Sequence, residues 1–140
     1  KGLGTPAGSV LLGSKAFIDE AHRSRKLMGG GMRQVGILAA AGLHAMDHHF
    51  DRLQEDHDRA SRIGELLADH PAVDHVDQVE TNIVIASLAG GRPASDLVEA
   101  QRAQGILCSA FGPHKVRWVT HLDFGDEGLK HVLAALADWR

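Results

Sequence analysis

The first residue of the chain, Lys1, stands directly before a glycine-rich stretch that runs from Gly2 to Ser9 and leads into the apolar run Val10-Leu-Leu12. A lysine amine becomes a nucleophile toward carbonyl groups once desolvation or neighbouring cations lower its pKa. The glycines permit backbone conformations that other residues avoid, and they let a ligand approach closely. We therefore interpret Lys1 as a candidate covalent anchor for a carbonyl compound.

A second candidate lies downstream, where Gly29-Gly-Gly31 separates two helical patterns and is followed by Arg33. Successive glycines at the N-terminus of a helix point free backbone N–H groups toward one place, which suits an anion. Arg33 would add a paired donor for a phosphate or carboxylate. From the residues alone, a plain glycine hinge with a surface arginine is an equal alternative.

Arg117 is the third candidate, in the strand-like segment Val116 to Val119. Because side chains alternate along a strand, we expect Arg117 to face away from both valines, which would pack in the core. A guanidinium suits the grip of a substrate carboxylate through paired hydrogen bonds. An exposed strand arginine without a ligand is the other interpretation.

Three further patterns are weaker. Gly2-x-Gly4-x-x-Ala7 formally matches a dinucleotide-binding motif, but no strand precedes it and Pro6 interrupts it. His44 and His48 have a metal-ligand spacing without the H-E-x-x-H arrangement, so no metal site is predicted. The basic cluster at 22–26 is short and lacks interleaved aromatic residues, which favours a solvated helix end over a nucleic-acid site.

The length of the chain fits one ordinary domain, or part of a larger protein, because domains cluster at roughly 100–150 residues. The net charge of −3 gives no strong attraction to nucleic acid or anionic membranes. The longest apolar-looking run, Val35 to Met46, is too short to span a bilayer. The lone cysteine, Cys108, excludes an internal disulfide, suits a cytoplasmic protein and is expected to be a small residue on a buried strand.

Hydrophobic periodicity predicts an α/β protein. The predicted helices span residues 15–28, 32–47, 51–69, 93–104 and 126–139, with Ser14 capping the first and Gly105 closing the fourth. The predicted strands span residues 9–12, 73–76, 82–85, 106–109 and 116–119. The order of elements after the long third helix predicts a small layered domain, with a mostly antiparallel sheet covered on one face by helices.

The chain also resembles the low-specificity L-threonine aldolases, which are pyridoxal-phosphate (PLP) enzymes of the aminotransferase-like fold, fold type I. The matching stretches follow the family's order from one end of the chain almost to the other: Lys1 to Ser9, Arg25-Lys26, Gly29 to Gln34, Gly36 to Gly42, Leu53 to His57 and Arg117 to His121. The resemblance implies that residues 1–47 are the C-terminal end of the large PLP-binding domain. Residues 48–140 would then form a bridging helix and a small C-terminal α/β domain.

The same resemblance implies an activity, the cleavage of L-threonine, L-allo-threonine and related β-hydroxy-α-amino acids to glycine and an aldehyde. Lys1 would carry PLP as a Schiff base, Arg33 with Lys26 would neutralise the cofactor phosphate, and Arg117 would hold the substrate carboxylate. A missing N-terminal part would complete the site, in a homo-oligomer arranged as a dimer of dimers. The alternatives are another fold-type I enzyme, such as an aminotransferase or β-eliminating lyase, and a non-catalytic interaction fragment.

Overall fold

The computed structural model describes residues 1–140, which form two compact units, Lys1–Phe50 and Asp51–Arg140. The α-helices are α1 Lys15–Leu27, α2 Val35–His48, α3 Leu53–Ala68, α4 Ala94–Ala103 and α5 Asp126–Ala137. The β-strands are β1 Val73–Val76, β2 Ile83–Leu88, β3 Ser109–Ala110 and β4 Lys115–Val119. None of the helices combines the length and the apolar character needed to cross a lipid bilayer.

Helix α1 in the first unit begins and ends through local hydrogen bonds. The Ser14 hydroxyl accepts from the backbone N–H of Phe17 at 3.3 Å, which confirms the predicted cap. At the other end Gly29 has φ +83°, and its N–H donates to the carbonyl of Lys26 at 3.2 Å. The N–H of Gly30 donates to the carbonyl of Arg25 at 2.8 Å, which completes a glycine-terminated helix end.

The glycine triplet therefore closes α1 and does not open α2, which corrects the prediction that these glycines form a helix N-terminus. Helix α2 begins later than predicted, at Val35, after a turn that includes Arg33. The reason is that a left-handed residue such as Gly29 ends the preceding helix and satisfies its last carbonyl groups. The next residues must turn before a new helix can start.

The predicted strand at residues 9–12 is wrong. This segment belongs to no helix or strand, and Val10 and Leu12 are each 82% exposed. A strand requires a hydrogen-bonded neighbour, and all strands of the structure pair within the second unit. An apolar run alone is therefore not sufficient to form a strand here.

The second unit contains an antiparallel sheet of four strands in the order β1-β2-β4-β3, which confirms the predicted sheet. Strand β2 continues further than predicted, to Leu88, while β3 is restricted to Ser109–Ala110. Strand β3 starts late because the backbone N–H of Ile106 donates to the carbonyl of Gln101 at 3.0 Å. That hydrogen bond closes α4 around Gly105, which has φ +77°. The N–H of Ile106 is therefore not available to pair with a strand.

The core of this unit lies between one face of the sheet and helices α3, α4 and α5. Every second residue of the two central strands is buried there: Val84, Ala86 and Leu88 of β2, and Val116 and Trp118 of β4. A polar contact at the surface joins two of the helices, since the Nε of Arg59 donates to Asp126 at 3.0 Å. This hydrogen bond raises the pKa of the Arg59 guanidinium above its ordinary value.

Candidate functional site

Lys1 lies in a tight turn that is closed by two local hydrogen bonds. The N–H of Gly4 donates to the carbonyl of Lys1 at 2.8 Å, and the main-chain nitrogen of Lys1 donates to the carbonyl of Thr5 at 2.9 Å. Gly4 has φ +73°, a left-handed conformation that favours glycine. Gly4 is thus the position at which the turn that presents Lys1 favours a glycine.

The aliphatic stem of Lys1 packs directly on Gly8. A Cβ atom built on Gly8 would lie 2.7 Å from Cγ of Lys1, which is closer than real Cβ atoms approach, and 3.1 Å from Cδ, which is a tight contact. The absence of a side chain at position 8 therefore leaves the space that the lysine stem occupies. This packing directs the stem along the glycine-rich backbone, while the residue as a whole stays exposed.

His49 holds the lysine turn from the other end of the first unit. Its Nδ1 lies 2.8 Å from the carbonyl oxygen of Leu3, and because a carbonyl only accepts, the Nδ1–H donates. His49 follows the last residue of α2, so this bond ties the turn to that helix. No local sequence pattern indicates this role, because the hydrogen bond joins residues 46 positions apart.

Lys26 and Arg33 lie on either side of the glycine triplet. A Cβ atom on Gly31 would lie 3.5 Å from Cδ of Lys26, so the Lys26 side chain runs beside the segment that leads to Arg33. Arg33 is exposed in the turn before α2. The residue at the N-cap of α2, Gln34, makes no side-chain capping hydrogen bond, so the first N–H groups of this helix are free of a side-chain acceptor.

Arg117 lies in β4, with Ile85 of β2 on one side and Ser109 of β3 on the other. Val116 and Trp118 point into the helix-covered core, so Arg117 points to the opposite face of the sheet. The prediction that Val119 faces the core is wrong. Val119 is two positions after Arg117, so the two side chains share the open face, and Val119 is 44% exposed.

The guanidinium of Arg117 lies over the ring of Phe111, with its Cζ 5.7 Å from the ring centroid. Its Nε is buried and has no hydrogen-bond partner. The nearby cation Lys115 is already paired, since its Nζ lies 3.6 Å from a carboxylate oxygen of Asp77. Arg117 is therefore a cation on the open face that retains its capacity to bind an anion.

The four predicted site residues share one electrostatic property. None of the ion pairs in the structure involves any of them: Lys1, Lys26, Arg33 and Arg117. Three of these residues belong to the first unit and Arg117 belongs to the second. The absence of acidic partners leaves these cations able to bind anionic groups of a ligand. It does not single them out, because six other arginines also form no ion pair: Arg23, Arg25, Arg62, Arg92, Arg102 and Arg140.

The other chemically interesting residues form no comparable arrangement. The rings of His44 and His48 lie 4.4 Å apart between centroids, and no group of three or more ligating side chains is placed to hold a metal. Cys108 is half-buried, and burial raises the pKa of its thiol to about 11. A thiol with such a pKa stays protonated near neutral pH and is a poor nucleophile.

Comparisons with known proteins match the chain to one family and to several curated relatives. The family model for beta-eliminating lyases matches residues 1–90. The low specificity L-threonine aldolase of Escherichia coli strain K12 is 45% identical over 140 residues, which is 100% of this chain and 40% of that protein. The low-specificity L-threonine aldolase 1 of Arabidopsis thaliana is 39% identical over 137 residues, covering 96% of this chain and 38% of that protein.

Solved structures share the fold at low sequence identity. A transaminase with L-alanine has a TM-score of 0.63 at 19% identity and covers 91% of this chain and 34% of its own. A complex of the cystine C–S lyase C-DES with cysteine persulfide has a TM-score of 0.58 at 23% identity, covering 74% and 28%. These likenesses confirm the predicted aminotransferase-like fold. The chain spans about 40% of the length of the E. coli relative it matches.

Proposed function

Since this chain belongs to the beta-eliminating lyase family, we propose that it is the lysine-bearing part of a PLP-dependent carbon–carbon lyase. The proposed reaction cleaves L-threonine, L-allo-threonine and related β-hydroxy-α-amino acids to glycine and an aldehyde. The observation that carries the proposal is the turn at Lys1, where the lysine stem occupies the space left by Gly8. The 45% identity to the E. coli aldolase over the whole chain supports the choice of reaction.

The residues of the first unit fit the chemistry of PLP, which combines an aldehyde with a phosphate. Lys1 offers a primary amine on a stem held against Gly8, which suits covalent attachment through its Nζ. Lys26 and Arg33 offer unpaired cations for the phosphate, in this subunit or a neighbouring one, and the start of α2, which has no side-chain cap, adds backbone N–H groups. When bound, PLP supplies an electron sink that stabilises the carbanion left at Cα by cleavage of the Cα–Cβ bond.

Arg117 is proposed to bind the α-carboxylate of the substrate. No acidic side chain of this chain pairs with it, and its strand holds the guanidinium on the open face of the sheet. A carboxylate held by two parallel hydrogen bonds has a fixed orientation, which also orients the bond to be cleaved. The base that removes the proton from the β-hydroxyl group is proposed to lie outside this chain.

The organisation of the whole enzyme is also a proposal. We assign residues 1–47 to the end of the large PLP-binding domain and residues 48–140 to the bridging helix and small domain. The remaining site residues would come from a part of the enzyme outside this chain, in a cytoplasmic homo-oligomer arranged as a dimer of dimers. Large exposed apolar side chains on α2, such as Ile37, Leu43 and Met46, support packing against further protein.

Product analysis with L-threonine on the full-length enzyme tests the proposed reaction. Aldol cleavage gives glycine and acetaldehyde in equal amounts, with no added oxo acid. The family name favours a second candidate, β-elimination, which would give ammonia and 2-oxobutanoate instead. A transaminase would transfer the amino group only when an oxo acid is supplied. Release of 2-oxobutanoate without acetaldehyde would refute the aldolase assignment.

A further inference from the structure

Phe111 lies at the end of the β3 arm, where the chain turns back toward β4. Its backbone N–H donates to the carbonyl of Lys115 at 2.8 Å, which closes this hairpin. Because Ser109 pairs with Arg117, Phe111 lies diagonally across from Arg117 and shares its face of the sheet. The distance from the Arg117 Cζ to the ring centroid, 5.7 Å, is within the range of a cation–π contact.

Few other contacts orient the guanidinium of Arg117. Its neighbours across the sheet, Ile85 and Ser109, offer an aliphatic chain and a small hydroxyl group. No acidic residue pairs with it, and its buried Nε has no hydrogen-bond partner. The plane of the guanidinium therefore depends on packing, and Phe111 supplies an aromatic surface for it.

We infer that Phe111 is a positioning residue, which holds the Arg117 guanidinium so that its terminal N–H groups are directed at a ligand carboxylate. A guanidinium that lies over an aromatic ring does not use its N–H groups in that contact, so they remain free for paired hydrogen bonds with a carboxylate. Phe111 is 54% exposed, so a large part of the residue is open to solvent and is not held by other packing contacts. This inference rests on the proposed function, because it requires that Arg117 binds the carboxylate.

The test measures binding of two amines to the full-length, PLP-loaded enzyme by titration of the cofactor absorbance. Glycine carries the carboxylate that Arg117 is proposed to hold, and methylamine lacks it. In Phe111→Leu, the dissociation constant for glycine should rise about twofold to fivefold, while that for methylamine stays unchanged. Phe111→Tyr retains a ring and should bind glycine as the wild type does.

Two further variants separate the inference from its premise. Leu107→Ala removes another exposed apolar side chain before β3 and should change neither dissociation constant. Arg117→Ala should weaken glycine binding more than Phe111→Leu does. If Arg117→Ala weakens glycine binding and Phe111→Leu does not, Phe111 has no positioning role, although the proposed function stands.

An equal loss of affinity for glycine and methylamine in Phe111→Leu would also overturn the inference, because it would indicate a general distortion of the site. If Arg117→Ala itself leaves glycine binding unchanged, the assignment of Arg117 to the carboxylate fails. The role of Phe111 then fails with it.

Discussion

Arg117 is the residue at which charge and position combine most clearly, since it is an unpaired cation on the open face of a sheet. Loss of its hydrogen bonds to a substrate carboxylate should cost about 1.5–3 kcal/mol, so kcat/KM for threonine in Arg117→Ala should fall roughly tenfold to a hundredfold. Arg117→Lys should recover only part of this loss, because an ammonium group cannot reproduce the paired geometry. Steady-state kinetics at equal PLP content measures both, and an unchanged kcat/KM in Arg117→Ala would exclude the role.

Gly8 permits an equally specific prediction. An alanine there would place its Cβ 2.7 Å from Cγ of Lys1, so Gly8→Ala should displace the lysine stem and lower the PLP content per subunit. The matched control is Gly2→Ala, because a Cβ at Gly2 would meet no atom within 4 Å. Cofactor absorbance after dialysis measures the effect. Full PLP occupancy in Gly8→Ala would show that PLP binding does not depend on the packing of the Lys1 side chain against Gly8.

Cys108 provides a prediction about pH. Burial raises the pKa of its thiol to about 11, so the folded protein keeps the thiol protonated at pH values where an unfolded chain forms thiolate. At pH 8, alkylation of Cys108 should be on the order of a hundredfold slower in the native protein than in urea. The same shift should lower stability as the pH rises from about 9 toward 11. Peptide mapping after iodoacetamide treatment reports the rate, and equal rates in both states would contradict the account.

At the level of elements, the proposed anion site of the first unit lies at the connection between α1 and α2. The glycines end α1, and Arg33 follows in the turn that leads to an uncapped α2. Arg33→Ala should therefore weaken PLP retention roughly tenfold and leave the circular dichroism spectrum unchanged. Arg23→Ala, an exposed arginine on α1, serves as the control. Equal retention by both variants in a dialysis titration would make Arg33 an ordinary surface residue.

The elements also show why local patterns predicted some boundaries and not others. Ser14 and Gly105 were predicted correctly as helix ends, because capping depends on residues that are close in sequence. The apolar run at residues 9–12 failed as a strand because a strand needs a partner that no local pattern specifies. The helix start expected at Met32 failed because Gly29 was free to close the preceding helix instead.

For the whole molecule, periodicity was sufficient to predict the sheet and the helices that cover it, since the core of the second unit is built from alternating residues. The roles of the site residues are a different matter. The contact of His49 with Leu3 and that of Phe111 with Arg117 depend on tertiary packing, so no spacing in the sequence predicted them. Lys1, Arg33 and Arg117 are candidates from the residues around them as well as from family resemblance, whereas Lys26 is a candidate from the resemblance alone. The structure adds that none of the four takes part in an ion pair.

The first unit differs from the second in how little apolar surface it buries. Only one residue of α2, Ala45, is buried, while Ile37, Leu43 and Met46 are exposed. Exposed apolar surface of this extent indicates contact with further protein. This agrees with the proposal that the active enzyme includes a part outside this chain, since the chain spans 40% of the length of the E. coli relative.

Reduction of the PLP-loaded, full-length enzyme with borohydride shows whether Lys1 is the residue that anchors PLP. Reduction converts the covalent attachment into a stable secondary amine, so proteolysis and mass spectrometry can identify the modified lysine. If Lys1 carries PLP, we expect one phosphopyridoxyl group per subunit, on the peptide that contains Lys1. Modification of Lys15 or Lys26 instead, with Lys1 unmodified, would contradict it.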